Sequence, residues 1–216
     1  MGVGCAVAAV ALAGCGGSGK SSSGSTATHA STAPSGGKST SSPALPAGTP
    51  AALRRLHGPL LAANELPGFA PKGTVSLSTS TRAWVAEDPP PLRAPEAARL
   101  KALGFLAALG EPLAATGGGG EGISLVEEYR SSRGASGEVA GQLGQATGRG
   151  ESAFSVAGIP GARGFGFSGS NGPNANVAFA VGPDYYLVGF QGTPTASPTR
   201  AQLIAAAQKL YGRVRG

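Results

Sequence analysis

Large apolar side chains are missing from one long segment near the start of the chain, and this decides which part can fold. Residues 16–48 are almost wholly Gly, Ser, Thr, Ala and Pro, with no bulky apolar side chain before Leu45. Such a segment cannot bury enough surface to offset its conformational entropy, so it predicts a flexible tether. Residues 49–216 are long enough to bury roughly 70% of the surface that their unfolded chain exposes. We therefore expect one folded domain over residues 49–216.

The cysteines and the charges exclude several kinds of site in that domain. Cys5 and Cys15 are the two cysteines of the chain, so the domain has no thiol for a disulfide, a thiolate metal site or a nucleophile. The net charge is +6 for the whole chain, and Lys20 and Lys38 of the tether contribute two of these charges. The remaining charge of about +4 is spread along the domain. It slightly favours a negatively charged wall or membrane surface and does not predict nucleic-acid binding.

A short apolar segment precedes the tether. Val3–Leu12 is too short to cross a membrane, which takes about twenty residues, but it has the length of a signal-peptide core. It ends in Leu12-Ala13-Gly14-Cys15, which resembles the lipobox of bacterial lipoproteins. The resemblance implies cleavage between Gly14 and Cys15, a lipid on the Cys15 thiol and further acylation of its new amino group. Two or more acyl chains are needed for stable membrane anchoring.

These features divide the chain into a signal peptide (1–14), a lipidated cysteine with its linker (15–48) and the domain (49–216). The predicted location is extracytoplasmic, on the cell membrane. Met1-Gly2-Val3 carries no Lys or Arg, unlike the start of most signal peptides. Either the true start lies upstream or the free amino terminus supplies the charge.

Two glycine-rich patterns imitate nucleotide-binding motifs. Residues 14–21 satisfy the P-loop pattern, but the Ser- and Gly-rich sequence after Lys20 cannot form the helix that a P-loop requires. Residues 164–169 match G-x-G-x-x-G, but they lie among alternating aromatic residues, which predict a strand and a turn. We therefore predict no cofactor.

Within the domain, helical and strand-like patterns alternate. Leucines at every third position from Leu100 to Leu109 predict a helix that begins at Pro95. In chain order the sequence predicts a short helix after Pro50, a strand at 74–85, a stiff proline-rich connector at 87–95, a helix at 95–109, a strand at 123–130, a weak helix at 136–147, three strands within 154–191 and an amphipathic helix from 198 to about 214. This order predicts an α+β fold, an antiparallel sheet with helices packed on one face.

No arrangement of residues predicts catalysis or metal binding. His57 is the one histidine of the domain, and without cysteine it cannot form an ordinary zinc site. Glu127 and Glu128 are adjacent, so on a strand they face opposite sides and cannot work as a carboxylate pair. We therefore predict that the chain is not an enzyme.

The aromatic residues of the late strands allow a binding site. Most of these rings are expected in the core, but one open sheet face could hold an apolar or glycan ligand. The candidate ligand-binding residues are Arg163, Asp184, Tyr185 and Tyr186.

Several stretches resemble actinobacterial envelope lipoproteins and sensor-type extracellular domains, namely residues 51–70, Ile159–Phe165 and residues 207–214 (AQKLYGRV). The function predicted first is a lipid-anchored binding or sensory accessory protein, with a small apolar or glycan ligand or a cell-wall polymer as partner. The second is a structural or chaperone-like envelope protein that docks a protein partner. The third is a hydrolase without a recognisable motif.

Overall fold

The computed structural model describes residues 45–169, 172–193 and 197–216. The predicted signal peptide, Cys15 and most of the linker lie outside these residues. Helices in the described part are α1 (Ala51–His57), α2 (Thr81–Trp84), α3 (Pro90–Leu103), α4 (Ser132–Gly148) and α5 (Arg200–Val214), and a 3-10 turn spans Val85–Glu87. Strands are β1 (Phe69–Pro71), β2 (Ser76–Ser78), β3 (Phe105–Ala115), β4 (Glu121–Tyr129), β5 (Ser152–Phe154), β6 (Arg163–Gly169), β7 (Gly172–Val181) and β8 (Asp184–Gln191). No helix in these ranges has the length and apolar character needed to span a membrane.

The eight strands form one antiparallel sheet, in the order β1-β3-β4-β8-β7-β6-β5, and β2 also pairs with β3. Strands β3 and β4 form a long hairpin, and β6, β7 and β8 form a meander. The two units join where β4 pairs with β8, which places Glu127 beside Tyr185. The predicted α+β class with an antiparallel sheet is confirmed.

Helices cover both faces of this sheet, whereas we expected them on one face. Buried residues of α1 and α5 pack with Val126, Phe179 and Tyr186 on the first face. Buried residues of α2, α3 and α4 pack with Leu125 and other residues on the second face. The central strands explain the difference, because β4 is buried at every position from 123 to 127 and β8 at every position from 185 to 190. A strand buried on both faces needs a covering layer on each side.

Helix α3 begins and ends earlier than predicted. The predicted connector at 87–95 is mostly the first turns of α3, because Pro90 and Pro91 occupy initial positions whose N–H groups have no partner inside a helix. The helix ends at Gly104, which adopts a left-handed conformation with φ of 85°. Leu106 and Leu109 therefore lie in β3 and not in a helix.

The strand predicted at 74–85 is also mostly wrong. Only Ser76–Ser78 forms a strand, and α2 follows at once, with the Ser80 side chain accepting a hydrogen bond from the backbone N–H of Ala83. A local hydroxyl cap thus starts a helix in a stretch whose composition favours strands.

The later elements agree with the sequence. The weak helix predicted at 136–147 is the longer α4, and the three late strands are found as β6, β7 and β8. Helix α5 is closed at its start by a capping box between Thr199 and Gln202. The predicted amphipathic helix is confirmed, and its apolar face buries Leu203, Ala207 and Leu210.

Candidate functional site

A cavity of about 400 Å³ lies between the sheet and the helices of its second face. Strands β4 and β8 form its floor, and α2, the 3-10 turn, α3 and α4 form its walls. Its apolar lining includes Trp84, Val85, Leu100, Leu125 and Leu187, with Leu92 and Pro95 from the start of α3. Its polar lining is Asp88, Glu96, Arg99, Glu127, Gln142, Gln145, Arg149 and Tyr185. Cavities of this size, apolar with a few polar groups, are typical of small-molecule sites.

Glu127 of β4 lines the cavity, and both of its carboxylate oxygens accept hydrogen bonds. The indole Nε1 of Trp84 donates to Oε1 at 2.7 Å, and the hydroxyl of Tyr129 donates to Oε2 at 2.6 Å. Burial raises the pKa of Glu127 to about 8, and the negative charge of Glu138 adds to this rise. The two hydrogen bonds and the charge of Arg99 oppose the rise. Glu127 is therefore a buried acid whose charge depends on what lies next to it.

Arg99 of α3 connects two more carboxylates to the cavity. Its guanidinium donates to both oxygens of Glu138 at 2.5 and 2.7 Å, and to both oxygens of Glu96 at 2.5 and 2.9 Å. Gln142 donates to Glu138 at 2.8 Å, and Gln145 donates to Glu96 at 3.1 Å. Burial alone would lower the pKa of Arg99, but the hydrogen bonds and charges of the two glutamates raise it, so the guanidinium stays charged. This network fixes α3 against α4 along one wall.

Tyr185 of β8 is the register neighbour of Glu127 and lines the same cavity. Its side chain is buried, and its hydroxyl has no hydrogen-bond partner among the described residues. Burial raises the pKa of Tyr185 well above its ordinary value, and the charges of Glu138 and Glu127 add to the rise. An unpaired buried hydroxyl costs stability, and a bound molecule could satisfy it.

The four predicted ligand-binding residues do not lie together. Tyr185 lines the cavity, whereas the neighbouring Tyr186 belongs to the core of the other face and stacks on Phe179. Asp184 accepts a hydrogen bond from Tyr186 and interacts with Arg55 of α1. Arg163 is exposed on β6 and donates to the carbonyl of Ala162 at 3.0 Å.

The predicted aromatic face is likewise divided. Phe165 and Tyr185 belong to the second face of the sheet, whereas Phe179, Tyr186 and Phe190 belong to the first. Phe167 is exposed on β6. The rings are thus mostly core, as expected by default, and no single sheet face presents them all.

The remaining candidate motifs stay outside the cavity. His57 ends α1, and the G-x-G-x-x-G pattern at 164–169 forms part of β6 and not the start of a helix. In the part of the chain that the structure describes, no three His, Cys, Asp or Glu side chains come close enough to hold a metal ion.

The sequence did not predict the residues that act on Glu127. Trp84 donates a hydrogen bond to Glu127 and the charge of Glu138 raises its pKa, but they lie 43 and 11 residues away along the chain, and only the fold brings them near. One signal was available: Glu96 and Arg99 stand three apart on a helix, which is the spacing of an intrahelical ion pair.

The chain is similar in fold to the extracellular domain of PknH from Mycobacterium tuberculosis. The TM-score is 0.53 and the sequence identity 14%, and the match covers 76% of this chain and 98% of that one. At this identity the likeness shows a shared fold. No protein-family model and no curated protein matches the chain.

Proposed function

We propose that the chain is a lipid-anchored, extracytoplasmic protein of the cell envelope that binds a small ligand, as a binding or sensory accessory protein. The observation that carries the binding part is the cavity on the second face, where the Tyr185 hydroxyl has no hydrogen-bond partner among the described residues and lies beside the buried Glu127. A cavity with few but well-held polar groups is what a small ligand requires.

Two observations support the location. The protein of similar fold is described as an extracellular domain. The lipobox-like Leu12–Cys15 stands before a tether that could hold the domain away from the membrane. The lipid anchor on Cys15 belongs to this proposal.

Docking of a protein partner is the less favoured function. A docking protein needs a broad exposed apolar patch. Three large apolar side chains of the described residues are exposed, namely Leu92, Leu106 and Phe167, and they lie on three different elements. The cavity therefore favours a small ligand as partner.

Native mass spectrometry of the purified full chain tests the binding function. We expect the folded protein to carry, or to take up from an envelope extract, a small molecule seen as added mass. Leu92 lines the cavity and is 40% exposed, so Leu92→Trp should obstruct the entrance and remove the added mass.

Leu106→Trp is the matched control. Leu106 has nearly the same exposure, 38%, but lies outside the cavity lining, so this variant should keep the ligand. The proposal is wrong if the wild-type chain takes up nothing, or if both variants bind equally well.

A further inference from the structure

The cavity has an excess of carboxyl groups over guanidinium groups. Its lining carboxyl groups are Asp88, Glu96 and Glu127, and two more, Glu138 and Glu151, contact its lining arginines. Against these five stand three guanidinium groups: Arg99 and Arg149 in the lining, and Arg93, which acts on Asp88. The domain as a whole has more basic than acidic residues. The cavity is therefore locally acidic within a basic domain.

Burial makes this excess costly. Glu138 is completely buried, and Glu127 and Asp88 are nearly so. Two bonds from Arg99 compensate Glu138, but Glu127 receives its hydrogen bonds from the uncharged Trp84 and Tyr129. A buried carboxylate without a cationic partner is strongly disfavoured. Burial therefore keeps Glu127 protonated up to a pH of about 8, and a positive charge next to it would favour its charged form.

The free hydrogen-bonding capacity beside Glu127 suits the same kind of ligand. The carboxylate keeps lone pairs beyond the two that it uses, and the Tyr185 hydroxyl can accept as well as donate. Both groups can therefore accept N–H bonds from one ammonium group. The indole of Trp84, which lines the cavity, adds an aromatic surface that attracts cations.

We propose that the cavity binds an organic cation, in which an ammonium group next to Glu127 and Tyr185 is carried on an apolar body packed against Leu100, Leu125 and Leu187. This inference rests on the proposed binding function and names its ligand class. An organic cation fits better than a metal ion, because no three metal-ligating side chains of the described residues cluster. An anionic ligand would meet the repulsion of several carboxylates.

Trp84 gives a direct readout, because it is the single tryptophan of the chain and lies in the cavity. The full chain is titrated at pH 9, above the pKa of about 8 of Glu127, with phenethylamine, 2-phenylethanol and 3-phenylpropanoate, while Trp84 fluorescence is followed. These probes share an apolar body and differ in charge. We expect phenethylamine to bind about tenfold or more tighter than the alcohol, and the carboxylate to bind weakest.

Glu127→Gln keeps the shape and an acceptor for Trp84 but removes the negative charge. We expect it to weaken phenethylamine binding about tenfold while 2-phenylethanol binding stays unchanged. Glu111→Gln is the matched control, because Glu111 is also fully buried but lies on the other face of the sheet, beside Ser124. It should bind both probes as the wild type does.

Tyr185→Phe gives a second, independent test that leaves the fold undisturbed, because the hydroxyl that it removes makes no hydrogen bond within the part of the chain that the structure describes. We expect roughly three- to tenfold weaker phenethylamine binding.

The outcomes separate this inference from the proposed function. If the alcohol or the carboxylate binds as tightly as the amine, or if Glu127→Gln leaves amine binding unchanged, the inference of a cationic ligand is wrong while the cavity remains a binding site. If none of the probes binds and the wild-type chain shows no ligand in native mass spectrometry, both fail.

Discussion

Glu111 is an ionisable residue at a buried position that is surrounded by apolar side chains. It lies on β3, fully buried on the first face of the sheet, and neither of its carboxyl oxygens has a hydrogen-bond partner among the described residues. Its neighbours along the strand on that face are Leu109 and Leu113 of the core. Burial raises the pKa of Glu111 to about 7. The residue is therefore best accommodated in its neutral form.

This gives a stability that depends on pH in a defined direction. The pKa of Glu111 is about 7 in the folded chain and about 4.5 when unfolded, so the folded state holds the proton more tightly. The contribution of the protonated Glu111 to the free energy of unfolding is complete below pH 4.5, is lost progressively as the pH rises, and is gone above pH 7. We expect Glu111→Met to raise the free energy of unfolding by about 3 kcal/mol at pH 8 and by much less at pH 4.5.

Urea denaturation of both proteins across pH 4.5–8 measures this. The quantity to follow is the difference between variant and wild type, because Glu127, with a pKa of about 8, adds a similar loss to both. A difference that stays constant over the pH range would contradict the prediction. Glu121→Gln, at an exposed position, serves as the control without effect.

For single residues, the sequence predicted the sheet face on which a side chain lies better than it predicted the neighbours of that side chain. Glu127 and Glu128 do lie on opposite faces, where Glu128 forms an ion pair with Arg55 and Glu127 lines the cavity. The sequence excluded Glu128 as the acidic partner of Glu127, but it gave no sign of Glu138. The charge of Glu138, on α4, raises the pKa of Glu127, and strand periodicity carries no information about which helix covers a strand.

At the scale of elements, α4 shows why local propensity misleads. Its glycines made the helix look weak, since glycine lowers helix stability by up to about 1 kcal/mol. A Cβ on Gly134 would lie 2.3 Å from the carbonyl oxygen of Leu103, and one on Gly137 would lie 2.7 Å from the Leu103 side chain. These glycines allow the end of α3 to approach α4 closely, which is a tertiary requirement that a single segment does not reveal.

Two alanine substitutions on α4 separate these effects. Gly144 has no atom within 4 Å of an added Cβ, so Gly144→Ala should raise the free energy of unfolding by about 0.5–1 kcal/mol through helix propensity alone. Gly134→Ala gains the same propensity but forces the Leu103 backbone away, so it should lower the free energy by about 1–3 kcal/mol. Thermal and urea unfolding measure both. Equal effects would show that the approach of α3 to α4 does not constrain position 134.

At the scale of the whole molecule, both layers of helices pack against the central strands β4 and β8, which pair with each other. The sequence predicted most of the strands and α5, because their patterns are local. It placed the helices on one face because alternation within single strands does not show that the central ones are buried on both sides. The cavity arises only from that second layer, so no sequence pattern could have located it.

The proposed lipid anchor would decide where this molecule works, and Cys15 carries the prediction. If Cys15 is lipidated, the domain is held at a membrane by acyl chains whose affinity grows by about 0.8 kcal/mol for each buried methylene. Cys15→Ser should then abolish fatty-acid labelling and move the protein from the membrane to the soluble fraction, while leaving domain folding and probe binding unchanged. Cys5→Ser is the matched control, because Cys5 lies within the predicted signal peptide and would be removed with it. Undiminished labelling of Cys15→Ser would contradict the anchor, whereas lost probe binding would show that residue 15 matters to the domain itself.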